Sequence, residues 1–196
     1  MKKKMYIFLA VVVLLFLAWV FWGYFSVKNV ETLSYKVLDD SKEYEIREYE
    51  DYIVAETEIE GGFSMASNKS FSILAGYIFG GNESKEKIAM TAPVLIDEES
   101  TLRTFSFVMP KKYTLESLPK PIDSRVKIRK ISGKKVAAIR FRGIFSNNLF
   151  EKKKEELKKY LERDGIKYTN ITSAGYNPPW TPPFMTRNEA WAIIKE

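Results

Sequence analysis

The chain has 196 residues, 45% hydrophobic and 29% charged, which suits one folded domain of about 160 residues plus an appendage. It contains neither Cys nor His, which excludes disulfides, zinc–thiolate sites, thiol nucleophiles, imidazole bases and histidine haem ligands. The net charge of +6 includes Lys2, Lys3 and Lys4, and the remaining excess is too small and dispersed to point to nucleic acid.

The first element is Met5 to Phe25, a run without any charge. At ~1.5 Å per residue it spans ~30 Å, the hydrocarbon thickness of a bilayer. Trp19, Trp22 and Tyr24 gather near its end, where an aromatic belt would sit. The rival is a cleaved signal peptide, but the run exceeds the usual apolar core and no small-residue cleavage site follows. Residues 1–25 are therefore expected to be a lysine cluster and a transmembrane anchor. The flanking lysines predict a cytoplasmic N-terminus and a domain on the other side. Residues 26–40 read as a tether and 41–196 as the domain.

That domain carries an internal repeat. Tyr44–Phe63 sets over Val126–Phe145 in ungapped register, matching Ile46 with Ile128, Arg47 with Arg129, Val54 with Val136, Ala55 with Ala137, Gly61 with Gly143 and Phe63 with Phe145. In the first copy Ile53, Ala55, Thr57 and Ile59 alternate with Val54, Glu56, Glu58 and Glu60, as half-buried strands do. By the repeat, Glu58 corresponds to Arg140 and Glu60 to Arg142. These charges would pair across a pseudo-twofold axis or form a solvated sheet face.

A helix follows each copy. The second, about Asn148–Arg163, is an ordinary amphipathic surface helix. The first, about Ser64–Phe79, has Lys69 as its only charge. With Phe63, Ala66, Ile73, Leu74, Tyr77 and Ile78 as its core stripe, it leaves Met65, Phe71, Ala75 and Phe79 for a second neighbour. Strands are expected over Ile88–Ile96, Thr104–Met109, Ile166–Ala174 and Ala190–Ile194, with Lys111–Asp123 as connector. A duplicated strand-strand-helix-strand-strand unit makes an antiparallel α+β domain with two helices on a curved sheet.

Last comes Gly175–Trp191, where Pro178, Pro179, Pro182 and Pro183 fix φ and remove four N–H donors. Tyr176, Trp180 and Phe184 alternate with the proline pairs and read as a clamp over the domain body. The run YNPPWTPPFMTRNEAW resembles the C-terminal signature of the SOUL haem-binding-protein family. Lys87–Val94 (KIAMTAPV) and Tyr44–Tyr49 (YEIREY) resemble two further blocks in the family's order. The resemblance implies a distorted barrel built from a duplicated unit, and tetrapyrrole binding.

An apolar slot with a nearby cation suits such a ligand, and the second face of the first helix offers one. The candidate ligand-binding residues are Met65, Lys69, Ile73, Tyr77 and Met90, with Lys69 toward an anionic substituent. Axial ligation would fall to Met65, Met90, Met109, Met185, a Tyr or a Lys. No metal-ion site is expected, because the acidic cluster of Glu43, Glu45, Glu48, Glu50 and Asp51 lacks ligand spacing. The expected function is a membrane-anchored, non-enzymatic binder of haem, another tetrapyrrole or a similar hydrophobic molecule. A membrane-tethered module with a protein partner is the alternative. A hydrolase using Glu189 with Tyr77 or Tyr176 requires a raised carboxyl pKa, whereas an Arg187–Glu189 pair would simply hold the C-terminal loop.

Overall fold

The duplicated pattern folds into two interlocked halves. A computed structural model describes residues 2–40, 43–99 and 102–195. Helix α1 (Lys2–Phe25) leads into β1 (Glu31–Thr32) and β2 (Tyr35–Asp39). The first unit is β3 (Glu45–Tyr49), β4 (Tyr52–Glu60), α2 (Phe63–Ile78), β5 (Thr91–Ala92), β6 (Val94–Glu99) and β7 (Leu102–Val108). The second is β8 (Lys127–Ile131), β9 (Lys134–Phe141), α3 (Asn147–Arg163), β10 (Tyr168–Gly175) and β11 (Asn188–Ile194).

Nine strands form one antiparallel sheet in the order β2-β3-β9-β11-β10-β6-β7-β4-β8. Among the described residues it curls without closing, since β2 and β8 are its two edges, so the distorted barrel expected of the duplicated unit is realised as an open half-barrel. Each unit lends its first strand to the other half: β3 pairs with β9, and β8 with β4. Ile46 faces Ala137 and Ile128 faces Ala55, and these two pairs are repeat-equivalents of one another. The pseudo-twofold axis read from the sequence is thus realised as a reciprocal strand exchange.

The repeat extends to the turns. Gly61 and Gly143 take φ of 128° and 132°, a region that costs any residue with a Cβ about 1–2 kcal/mol. Phe63 and Phe145 after them meet with ring centroids 5.9 Å apart. Gly143→Ala should therefore lower unfolding free energy by about 1–2 kcal/mol in a urea titration. An unchanged midpoint would mean that the turn relaxes freely.

Alternate residues of the strands face two layers. Ala55 and Ile59 of β4 join Ile73, Leu74, Tyr77 and Ile78 of α2 in one core. Ala137 and Ile139 of β9 meet Phe150, Leu157 and Leu161 of α3 in another. The face away from the helices is not simply polar: Tyr49, Val54, Leu95, Val136, Tyr176 and Trp191 fill it. Of the two arrangements open to Glu58, Glu60, Arg140 and Arg142, the solvated sheet face is the one found, with all four side chains exposed and no cross-axis pair between them among the described residues. Glu58 instead bonds Lys127 at 2.9 Å, Glu56 bonds Arg129 at 2.8 Å, and Arg140 turns to Glu189.

Two expectations about the ends change. Much of the stretch read as a tether is folded: β1 pairs in parallel with β5, and β2 pairs with β3. A free tether leaves backbone groups to water, whereas here they complete sheet ladders. The proline-rich stretch is loop and a short 3₁₀ turn (Pro183–Met185) until Asn188, where β11 begins as an inner strand between β9 and β10. Its aromatic residues divide. Tyr176 is buried in the body, while Trp180 and Phe184 lean on α1.

Candidate functional site

Three places on the domain have chemistry to offer. The first is a buried ion centre on the helix-free face of the sheet. Adjacent strands β3, β9 and β11 bring Arg47, Arg140 and Glu189 together, and the side chains of Arg47 and Glu189 are 0% exposed. Arg47 donates Nη1–H to Glu189 Oε2 at 2.7 Å and Nη2–H to Oε1 at 3.2 Å. Its Nε–H goes to Glu45 at 2.8 Å, and the guanidinium lies 4.3 Å from the centroid of the Tyr35 ring.

Glu189 accepts further bonds from Tyr176 Oη–H at 3.0 Å, Trp191 Nε1–H at 2.7 Å and Arg187 Nε–H at 2.8 Å. Burial alone would raise its pKa, but the Arg47 hydrogen bonds and charge, helped by Arg187, outweigh that and hold it at about 2. The expected Arg187–Glu189 pair is present. The Tyr176–Glu189 pair also forms, while Tyr77 is elsewhere, donating to the Pro119 carbonyl at 2.9 Å. A carboxylate held near 2 and occupied by this many donors is a poor general base at neutral pH, so the raised pKa required for hydrolysis is reversed.

Arg47 escaped the sequence reading. A charge on a strand looks like a solvated face, and its repeat-equivalent Arg129 is indeed largely exposed. The available signal was the alternation of Arg47 with Glu45 and Tyr49, which puts all three on one side of β3.

The second place is the outward side of α2. Met65, Lys69, Ser72, Gly76 and Phe79 recur at helical spacing and are all exposed, with Phe71 beside them. Ser72 and Gly76 leave the middle of this strip low, and nothing lies within 4 Å of where a Gly76 Cβ would stand. The predicted residues split between layers. Met65 and Lys69 are outside, whereas Ile73 and Tyr77 are buried on the core side and Met90 packs against that same core. Met109 is buried and Met185 partly so, leaving Met65 as the exposed thioether of the four named candidates.

The third place is a cleft of about 380 Å³ between residues 31–34, the start of β4 and the connector after β7. Four of its charges pair, Lys130 with Asp51 at 2.7 Å and Lys111 with Glu50 at 3.7 Å, while Glu31 accepts the Lys111 backbone N–H and Glu116 also lines the cleft. Among the described residues no group of three or more acidic side chains is placed to hold a metal ion.

The family profile described as SOUL heme-binding protein matches residues 30–193. The chain belongs to the SOUL haem-binding protein family. Among relatives of this SOUL chain, the human protein named heme-binding protein 2 is 31% identical over 185 residues, covering 87% of this chain and 89% of its own. Heme-binding protein 1 of Xenopus laevis is 29% identical over 164 residues, covering 79% and 85%. Among solved structures, the C-terminal domain of EcmrR has a TM-score of 0.60 at 10% identity, covering 83% of this chain and 98% of its own. A hydrolase from Listeria innocua has a TM-score of 0.50 at 13% identity, covering 81% and 94%. At these identities the two structures share the SOUL chain's fold and speak for nothing further.

Proposed function

We propose that this SOUL protein is a single-pass membrane protein that binds haem, another tetrapyrrole or a similar amphiphile non-covalently on the outward side of α2. The observation that supports this most is the exposed strip of that helix. Met65, which is 60% exposed, and Phe79, which is 63% exposed, flank a low stretch at Ser72 and Gly76, with one cation at Lys69. Exposed apolar groups at this density ask for a partner, and small residues between large ones admit a flat ring.

In this reading the chain contributes apolar contact through Met65, Phe71 and Phe79, and a charge for a propionate through Lys69. Ile73 and Tyr77 fix the helix from beneath, and Met90 supports the same core. Without histidine the chain supplies no imidazole, and the Met65 thioether is the soft donor nearest such a ligand. Bound haem would bring a redox-active, strongly absorbing iron centre. Helix α1 is long and apolar enough to cross a bilayer, and Lys2, Lys3 and Lys4 favour a cytoplasmic N-terminus with the domain outside.

Haemin titration of the full chain in detergent, against a detergent blank, tests the binding. The expected result is saturable one-to-one binding with a shifted Soret band, roughly tenfold weaker in Lys69→Glu because a favourable charge contact becomes a repulsive one. A rise that matches the blank and never saturates would discard the tetrapyrrole reading and leave α2 as a contact for a protein partner.

A further inference from the structure

Helix α1 does not stand clear of the domain. Its Trp19 donates Nε1–H to the Trp180 carbonyl at 2.7 Å, and the Phe16 and Phe184 rings stack with centroids 6.3 Å apart. Gly23 lies flat against Pro182, so close that a Cβ would fall 2.5 Å from Pro182 Cδ. Trp180 in turn donates Nε1–H to Ser26 Oγ at 3.3 Å. Between α1 and the first strand only residues 26–30 intervene, coiled by bonds from Ser26 N–H to Trp22 O and from Val30 N–H to Val27 O. Such a link cannot hold the domain away from whatever surrounds α1.

We propose that the proline loop, residues 178–185, together with Ile144, is a wedge inserted into the leaflet through which the second half of α1 runs. This rests on the reading of α1 as a membrane helix. Phe16 lies about 13 Å along the axis from Phe25, at ~1.5 Å per residue, so its partner Phe184 sits at acyl-chain depth. Trp180 is 53%, Phe184 48% and Ile144 72% exposed, an arrangement costly in water and favourable in lipid.

The backbone of the loop suits a place with little water. Four prolines have no N–H to satisfy, and those of Thr181, Met185 and Thr186 bond the carbonyls of Pro178, Pro182 and Pro183. Internal pairing of this kind reduces the number of backbone groups that insertion would strand, and leaves the N–H groups of Trp180 and Phe184 to be met at the polar boundary. Gly143 N–H also donates to the Pro183 carbonyl at 3.1 Å, which sets the exposed Arg142 at the edge of the loop, where it can meet lipid phosphates.

The absence of cysteine makes the test clean. Single variants Val13→Cys, Ile144→Cys, Phe184→Cys and Lys152→Cys of the full chain are labelled with a polarity-sensitive fluorophore. They are then reconstituted into phosphatidylcholine–phosphatidylglycerol vesicles. The wedge predicts blue-shifted emission at 144 and 184, quenched by brominated acyl chains as at 13 and not by iodide, with 152 behaving oppositely. Labels at 144 and 184 that respond to iodide while 13 responds to brominated lipid would overturn the wedge and leave the anchor intact. Iodide quenching at 13 as well would remove the anchor and the wedge together. Two wedge positions, one in the proline loop and one at 144, guard against one variant failing to fold.

Discussion

Glu189→Gln is expected to destabilise the domain by about 3–5 kcal/mol, because it leaves the fully buried Arg47 without its main counter-charge. Among the described residues the carboxylate left to Arg47 would be that of Glu45, whose side chain is partly in water. A double variant that also replaces Arg47 by Met should recover part of the loss, since removing both charges is cheaper than stranding one. The same centre sets an acid limit. Glu189 titrates at about 2 in the folded protein against an ordinary 4.5, so its contribution is complete above pH 4.5 and is lost as pH falls through 2. The gap corresponds to roughly 3 kcal/mol. Urea titrations between pH 2.5 and 7 should show this component in the parent chain and not in Glu189→Gln. Parallel pH profiles would mean that Glu189 is no more acidic folded than unfolded.

Leu74→Ala should cost about 2–5 kcal/mol, the range for emptying a well-packed leucine site. Leu74 is 0% exposed on the core side of α2, between that helix and the sheet. Met65→Ala, on the opposite side, should change stability by no more than about 0.5 kcal/mol while weakening haemin binding. The contrast separates holding the helix from meeting the ligand. A Met65→Ala chain as unstable as Leu74→Ala would mean that the outward strip is packed in solution. One that binds haemin as tightly as the parent would remove Met65 from the site.

The two units, both helices and the turn glycines were legible from sequence because they depend on local pattern: alternation in β4, the repeat that carries it to β9, an amphipathic stripe in α3, and Gly61 set over Gly143. The strand exchange was not. An alternating pattern says which side of a strand is buried and nothing about which strand lies beside it. For the same reason Glu58 and Arg140 found partners other than each other. Arg187 with Glu189 was readable as two opposite charges two positions apart in one loop, whereas Arg47 reaches Glu189 from 142 positions away. The apolar excess of the first helix was visible, and with it Met65 and Lys69. Ile73 and Tyr77 fit the core stripe by spacing as well as a groove wall, and the core is where they lie. Nothing in the proline-rich run indicated that Trp180 and Phe184 would meet α1, since that contact joins the two ends of the chain.

The six methionines allow one measurement to decide where a tetrapyrrole sits. Methyl-labelled methionine spectra of the full chain in detergent, without and with one equivalent of haemin, report proximity to paramagnetic iron at several places together. Met65 marks the outward side of α2, Met109 the cleft beside β4 and Met185 the proline loop. The account predicts that the Met65 methyl broadens first and most strongly while Met109 and Met185 keep their line widths. Broadening at Met109 or Met185 with Met65 unchanged would contradict it and move the ligand to another part of the domain.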